Sequence, residues 1–378
     1  MNNSIIGARI KALREGKKLT QERLAEILQV ESRQSVSEIE RGRRRLSAEE
    51  LIKVVRYFDV TFDQLTNPFL LSAKDSFSWR QKNVALQDLN SFENVAGEWV
   101  GAYRELARLN NIKTKKILPR IGLTHASSFE EAVQAGEDVA EEMGLTNNPA
   151  HHLINSLEEK FDILVLMVDP IEGISGAACR LQALNAILIN KNEQLGRRNS
   201  DVAHEFFHIL TWDQMKPERV ECSAEAWERP SSRSQNRNLR IEQLADNFAS
   251  GLLMPSWELD RIGPPSKTDP IGWLVAAAIQ LGVSVNGLKW RLVNSKRYPE
   301  LIKIKNDDIA LVAQNIETEK KPELFGGRFI NIIIKSIEGG HLSAGRAARL
   351  LGVSRSGLAD LCKAYGFPCP VELQTGVD

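Results

Sequence analysis

Cysteine is scarce and unorganised in this chain. Its four cysteines, Cys179, Cys222, Cys362 and Cys369, are scattered through 378 residues with no C-x-x-C pair. Such usage excludes a disulfide framework and reads as reduced thiols of a cytosolic protein. Long apolar runs are missing too, so neither a membrane span nor a membrane partner is expected. The opening residues, MNNSIIGARIKALREGKK, have neither the apolar core nor the cleavage site of a secretory signal. Cytoplasm is the expected location. Net charge is absent as well: Lys and Arg total 49, as do Asp and Glu. The whole-chain balance therefore points neither to nucleic acid nor to an acidic substrate. Histidine is rare, with six residues in all, which gives weight to any two that stand at a meaningful spacing.

What is present suits a globular chain too long for one ordinary core, with 42% hydrophobic and 26% charged residues. Two or three domains are expected. Charge is unevenly placed: residues 1–70 hold 13 Lys or Arg against 10 Asp or Glu, a net +3 that leaves −3 for the remainder. The run Arg41-Gly42-Arg43-Arg44-Arg45 concentrates it. Apolar side chains recur at helical spacing through residues 5–66, as in Ile6, Ile10 and Leu13, then Leu24, Ile27 and Leu28, then Val36 and Ile39. Caps fall at the breaks, with Thr20 before one helix, Ser47 and Glu50 as a capping box before another, and Gly42 closing the helix between them. The pattern predicts a small all-α domain over residues 1–68, closed by Asn67-Pro68.

Residues 69–148 read as a helical connecting region, clearest at 91–109 and 128–143. Strand material follows at 162–168, 176–181 and 186–190, with a polar loop over 190–200. Next come a helix carrying the string HEFFH, a long polar loop over 211–238, and the helix RIEQLADNFASGLLM stopped by Pro255. The stretch 228–240 is the expected mobile loop. A domain over 149–300 contains these elements, and 301–378 reads as a C-terminal helical module ending in a helix pair at 343–351 and 354–365. That pair has helix-turn-helix rhythm but few basic residues, and reads as a packing or interaction module ahead of a second DNA reader. The expected fold class is mainly α with a small β-sheet (α+β).

The chemistry-bearing motif is His204-Glu205-Phe206-Phe207-His208. Residues four apart on a helix share a face, so both imidazoles can hold one metal ion while Glu205 beside them handles a proton. H-E-x-x-H is the signature of zinc-dependent peptidases. Two histidines that merely satisfy a core helix are the plainer alternative. A catalytic zinc takes three protein ligands and keeps one position open for water. Glu242 and Asp246, also four apart, are assigned as the third ligand and as the partner that orients a ligand imidazole. Leu244, Phe248 and Leu252 mark the apolar side of that helix, which leaves a solvated acidic face as the other reading of the pair. Cys222 is the competing ligand. Zinc brings the pKa of bound water to about 7; Glu205 would take that proton during attack on a peptide carbonyl and return it to the leaving amine. His125, His151, His152, Arg197 and Arg198 are the candidates for an oxyanion donor, and nothing selects among them.

Taken together, HEFFH and IEQLADNFASGLLMP resemble metallopeptidases of the ImmA/IrrE group. The second motif of that group runs Glu, two residues, Ala-Asn, one residue, Phe-Ala, then Leu-Leu-Met-Pro. Here Glu242, Ala245-Asp246, Phe248-Ala249 and Leu252-Leu253-Met254-Pro255 follow it, and the upstream ISGAACRL and AILINKN are also similar. The resemblance spans residues 150–290 and implies a zincin-like metallopeptidase domain over 149–300. It gives His204, His208 and Glu242 as zinc ligands and Glu205 as base. Asp246 stands where the group has Asn, Phe207 where it has Gly, and Ser200-Asp201 where it has Phe-Thr/Ser. The group cleaves helix-turn-helix repressors, so the resemblance also implies a repressor-type protein substrate in a stress, mobile-element or phage response.

LTQERLAEILQVESRQSVSEIERGRRRLS reads as helix-turn-helix, with Ala25 at the helix crossing, Val30 in the turn, and Val36 and Ile39 anchoring the second helix. It resembles the XRE/Cro-like repressor domain in Thr20-Gln21, Ser37 and the ending Glu40-Arg41-Gly42. Its turn is one residue longer than usual, which leaves the start of the recognition helix open by one residue. In that geometry Arg33, Gln34, Ser35 and Ser37 face the major groove, while Gln21, Arg43, Arg44 and Arg45 meet phosphates. A helical protein-interaction module with a solvated basic loop is the plainer reading. The expectation is a transcription regulator that binds double-stranded operator DNA and has zinc-dependent endopeptidase activity toward a repressor-type protein. A homodimer is expected if paired half-sites are read. The alternative is a regulator whose metallopeptidase-like domain senses a ligand or binds a partner without proteolysis.

Overall fold

The computed structural model describes residues 3–71, 77–112, 117–181, 184–220, 233–313 and 321–374. The chain is mostly helical with one small mixed sheet. It divides into two units, residues 1–74 with 93–109, and residues 75–92 with 110–378. Residues 69–148 do not form a body of their own, and 149–300 and 301–378 fall in one unit.

The first unit begins with five helices: α1 (Asn3–Gly16), α2 (Gln21–Leu28), α3 (Arg33–Glu40), α4 (Ala48–Phe58) and α5 (Phe62–Thr66). Side chains start them. Thr20 accepts from the Arg23 N–H at 3.1 Å and Ser32 from the Ser35 N–H at 3.3 Å. Ser47 with Glu50, and Thr61 with Gln64, form reciprocal capping boxes. Ile10, Leu24, Leu28, Val36, Ile39 and Val54 are fully buried among them, each contributing about 1.5–3 kcal/mol of transfer free energy. Arg14 and Glu40 are buried in the same core as an ion pair, Nε to Oε1 at 2.6 Å.

The second unit starts with β1 (Phe77–Gln81), a strand the helical reading of this region missed. α6 (Leu86–Leu109) follows, belonging here only as far as Phe92. Then come α7 (Phe129–Glu142), α8 (Pro149–Phe161), β2 (Leu164–Val168), β3 (Ile174–Arg180) and β4 (Asn185–Asn190). The sheet order is β1-β3-β4-β2, with β2 and β4 parallel and the other two pairs antiparallel. Both outer edges are covered. Met167 of β2 exchanges backbone hydrogen bonds with Phe325, at 2.7 and 2.6 Å, and the Trp79 N–H of β1 donates to the Arg219 carbonyl at 2.9 Å.

α9 (Leu195–Thr211) carries HEFFH and packs on β3 and β4. It begins inside the expected 190–200 loop: LGRRNSD is polar, but its turns are held by Asn199, which donates to the Gly282 carbonyl at 2.8 Å, and by the Arg197–Asp201 pair at 3.2 Å. α10 (Arg233–Leu253) likewise starts earlier than expected, so 233–240 are helical; the rest of the expected mobile loop, with Cys222, lies outside the described residues. α10 crosses α7 at backbone contact. A Cβ at Gly136 would stand 2.2 Å from the Phe248 carbonyl oxygen, and one at Gly251 2.0 Å from that of Val133. Only glycine permits that approach, and it fixes α10 beside α9. Beyond Pro255 lie α11 (Ser256–Arg261), α12 (Pro270–Leu281), α13 (Val285–Asn294), α14 (Asn306–Ala313), α15 (Gly327–Glu338), α16 (Ala344–Leu351), α17 (Arg355–Ala364) and α18 (Val371–Gln374). Among the described residues no single helix is long and apolar enough to cross a membrane.

Candidate metal centre and nucleic-acid interface

α9 is a core helix: every residue from Asp201 to Thr211 is buried. Phe206 and Phe207 pack around Phe248 of α10, with ring centroids 6.4 and 5.5 Å away. This packing sets the face carrying His204 and His208 against the face of α10 carrying Glu242. Their ligand atoms converge, with His204 Nε2 3.0 Å from His208 Nε2, 3.1 Å from Glu242 Oε2, and His208 Nε2 3.6 Å from the same oxygen. These three residues form a cluster able to hold a metal ion, all three buried. Tetrahedral ligands at bonds of about 2.0–2.1 Å stand about 3.3 Å apart, so the cluster fits such an ion.

Tautomers favour the same conclusion. His204 Nδ1 lies 2.8 Å from Asp246 Oδ1. The Asp246 carboxyl is held well below its usual range: burial raises it, but Arg80 and the hydrogen bond from His204 outweigh that. An ionised carboxylate only accepts, so the Nδ1–H donates and the Nε2 lone pair points at Glu242. Burial pushes Glu242 up, yet His208 and His204 bring it down to about 2. Two acceptor atoms 3.1 Å apart require positive charge at the centre, supplied by a metal ion or by protonated imidazole.

Glu205 is fully buried, and a Cβ at Gly176 of β3 would lie 3.5 Å from its Oε1. Asp201, one turn earlier on α9, is also fully buried; burial raises its pKa, opposed by Arg80 and Arg197. Arg80 reaches Asp246 through Nη2 at 3.3 Å and Asp201 through Nε at 3.7 Å. Sequence reasoning missed both Arg80 and Asp201. The i, i+4 spacing of Asp201 to Glu205 and the alternation in FSWRQ were the available signals. Of the oxyanion-donor candidates, His125, His151 and His152 are exposed. Arg197 is paired with Asp201 at 3.2 Å, and Arg198 donates to the Glu193 carbonyl.

In the first unit, the Ser32 cap starts α3 at Arg33, which removes the one-residue ambiguity. Val36 and Ile39 face the core, leaving Arg33 and Gln34 exposed with Ser35 and Ser37 half-buried beside them. Arg43 and Arg45 are exposed. Three of the expected phosphate contacts are already engaged, Arg43 with Glu38 at 3.6 Å among them. Gln21 donates to Glu40 at 2.8 Å and accepts from Arg33 at 3.3 Å, and Arg44 donates to Glu50 at 2.7 and 3.2 Å. A phosphate would have to compete for all three. The Arg14–Glu40–Gln21 link was legible only as a charged residue falling on an apolar helix face.

Residues 10–65 match the helix-turn-helix family, so the chain carries a domain of the DNA-binding type. No curated protein matches the chain. Among solved structures, the apo form of the competence regulator ComR from Streptococcus vestibularis is 11% identical, covering 97% of this chain and 100% of that one. Its TM-score of 0.16 carries no argument.

Proposed function

We propose that this chain is a DNA-binding transcription regulator with zinc-dependent endopeptidase activity, acting on a repressor-type helix-turn-helix protein. The observation that carries this reading is the convergence of His204, His208 and Glu242 within 3.6 Å beside a buried Glu205. The resemblance of HEFFH and IEQLADNFASGLLMP to ImmA/IrrE metallopeptidases supports a zincin-like domain and a protein substrate. His204, His208 and Glu242 would hold the ion, with Asp246 fixing the His204 tautomer. Zinc bound there supplies Lewis acidity, polarising the scissile carbonyl and acidifying a water molecule. Glu205 accepts the water's proton as its oxygen bonds to the carbonyl carbon, and delivers it to the nitrogen as the C–N bond breaks. α3 is the recognition helix, with Arg33 and Gln34 reading bases and Arg43 and Arg45 meeting phosphates; paired half-sites would need a homodimer.

The test is zinc content together with cleavage of any repressor-type protein encoded beside this one. The wild type should bind one zinc and cut that repressor, Glu205→Gln should keep zinc and operator binding but lose cleavage, and His204→Ala should lose zinc. Cleavage unchanged in Glu205→Gln would sink the mechanism. A second reading, a regulator whose metal domain senses a ligand or partner without proteolysis, is favoured by one observation. The residues at the centre, His204, Glu205, His208 and Glu242, are 5% exposed or less. Zinc binding without cleavage of any co-encoded repressor would select it.

A further inference from the structure

The centre is closed, so a substrate reaches Glu205 only after something moves, and β1 is the element beside it. β1 runs antiparallel to β3 with Arg80 opposite Gly176. Residues opposite one another in an antiparallel pair put their side chains on the same face. The missing side chain of Gly176 faces Glu205 Oε1, and Arg80 extends over that face to Asp246 and Asp201. An extended segment on the edge of β3 therefore delivers one side chain directly to the metal centre. Adding a strand to a sheet edge is a general mode of peptide recognition, with main-chain hydrogen bonds giving affinity and alternate side chains specificity.

We infer that the β3 edge is the substrate channel, and that β1 fills it as an internal stand-in for the substrate strand. The Asp201–Asp246 pair is the subsite for a basic residue of that strand. The substrate is then an extended segment with arginine at the place Arg80 occupies, and the enzyme is latent until β1 leaves. The substrate meaning of the channel rests on the peptidase reading; the exchange of strands does not. Trp79 and Phe77 hold β1 in place, stacked at 5.2 Å and buried. The pairing register shifts between Arg80 and Gln81, where the strand passes the centre, and pairing resumes at Gln81 with Ile174.

The test uses the full chain carrying Glu205→Gln, so that nothing is cut, and a fluorescein-labelled peptide of residues 75–83, DSFSWRQKN. Adding Trp79→Ala loosens β1 and should raise peptide affinity at least tenfold by fluorescence anisotropy. The same peptide with Arg80→Ala should bind at least tenfold more weakly to that protein. Equal affinity in either comparison overturns the inference. If Trp79→Ala unfolds, hydrogen exchange on the wild type decides. Amides of Phe77–Gln81 should exchange at least tenfold faster than those of Asn185–Asn190, and equal rates overturn the inference. None of these readouts needs cleavage, so their failure leaves the peptidase reading standing. Absent zinc or absent Glu205-dependent cleavage removes that reading while the strand exchange survives.

Discussion

Asp246 holds the His204 ring through Nδ1 at 2.8 Å, and this contact decides which nitrogen faces Glu242 and His208. Asp246→Ala should weaken zinc affinity about 10–100-fold, as loss of such orienting partners does. Asp246→Asn keeps an acceptor and should change affinity far less. A competitive chelator titration separates the two, and equal losses would show that charge, not orientation, is what Asp246 supplies. A different residue-scale lesson comes from Arg14 and Glu40 in the first unit, whose side chains are only 11% and 3% exposed. Removing one partner strands a buried charge. Arg14→Ala should destabilise the helix-turn-helix unit by about 3–5 kcal/mol, read as lost hydrogen-exchange protection in α1–α4. A loss under 1 kcal/mol would mean water reaches Glu40.

α7 and α10 meet where Gly251 touches the Val133 carbonyl, and α10 carries Glu242. Gly251→Ala should therefore destabilise the second unit by about 1–3 kcal/mol through overpacking and lower zinc affinity without touching a ligand. Zinc affinity unchanged in a destabilised protein would show that the helix shifts along an axis that spares Glu242. Helices of this kind were largely legible. Ser47-Glu50 and Ser128-Glu131 announce their starts, and Pro255 stops α10 where expected. HEFFH and Glu242 were legible because two i, i+4 pairs each define a face. β1 was not, because five residues of FSWRQ make a short strand and its pairing partner Gly176 lies 96 residues beyond Arg80. Nor could sequence show that Glu242 is buried: α10 sits between α7 and α9, so the face opposite Leu244 and Phe248 is covered as well.

Stability of the whole chain should respond to pH through Glu158 on α8. Burial raises its pKa to about 7, only partly offset by the Val165 N–H and Arg328. A carboxyl with a raised folded pKa stabilises the fold fully below its ordinary 4.5 and loses that contribution as pH rises through about 7. Stability should fall by about 1–3 kcal/mol over that window and then level. Glu158→Gln should flatten this part of the curve in thermal melts at stepped pH, and an unchanged slope would assign it to another group. Connectivity bears on the strand beside the metal centre. The first unit runs to Lys74 and resumes at Glu93, so the 75–92 excursion that contains β1 is inserted within it. A strand anchored at both ends is present at an effective concentration on the order of millimolar. A free segment at micromolar level must then bind about a thousandfold better merely to draw even. Strain on the two anchors would lower that threshold for every competitor at once, so the chain ends of this excursion, at Lys74 and Glu93, are where its hold on the β3 edge would be loosened.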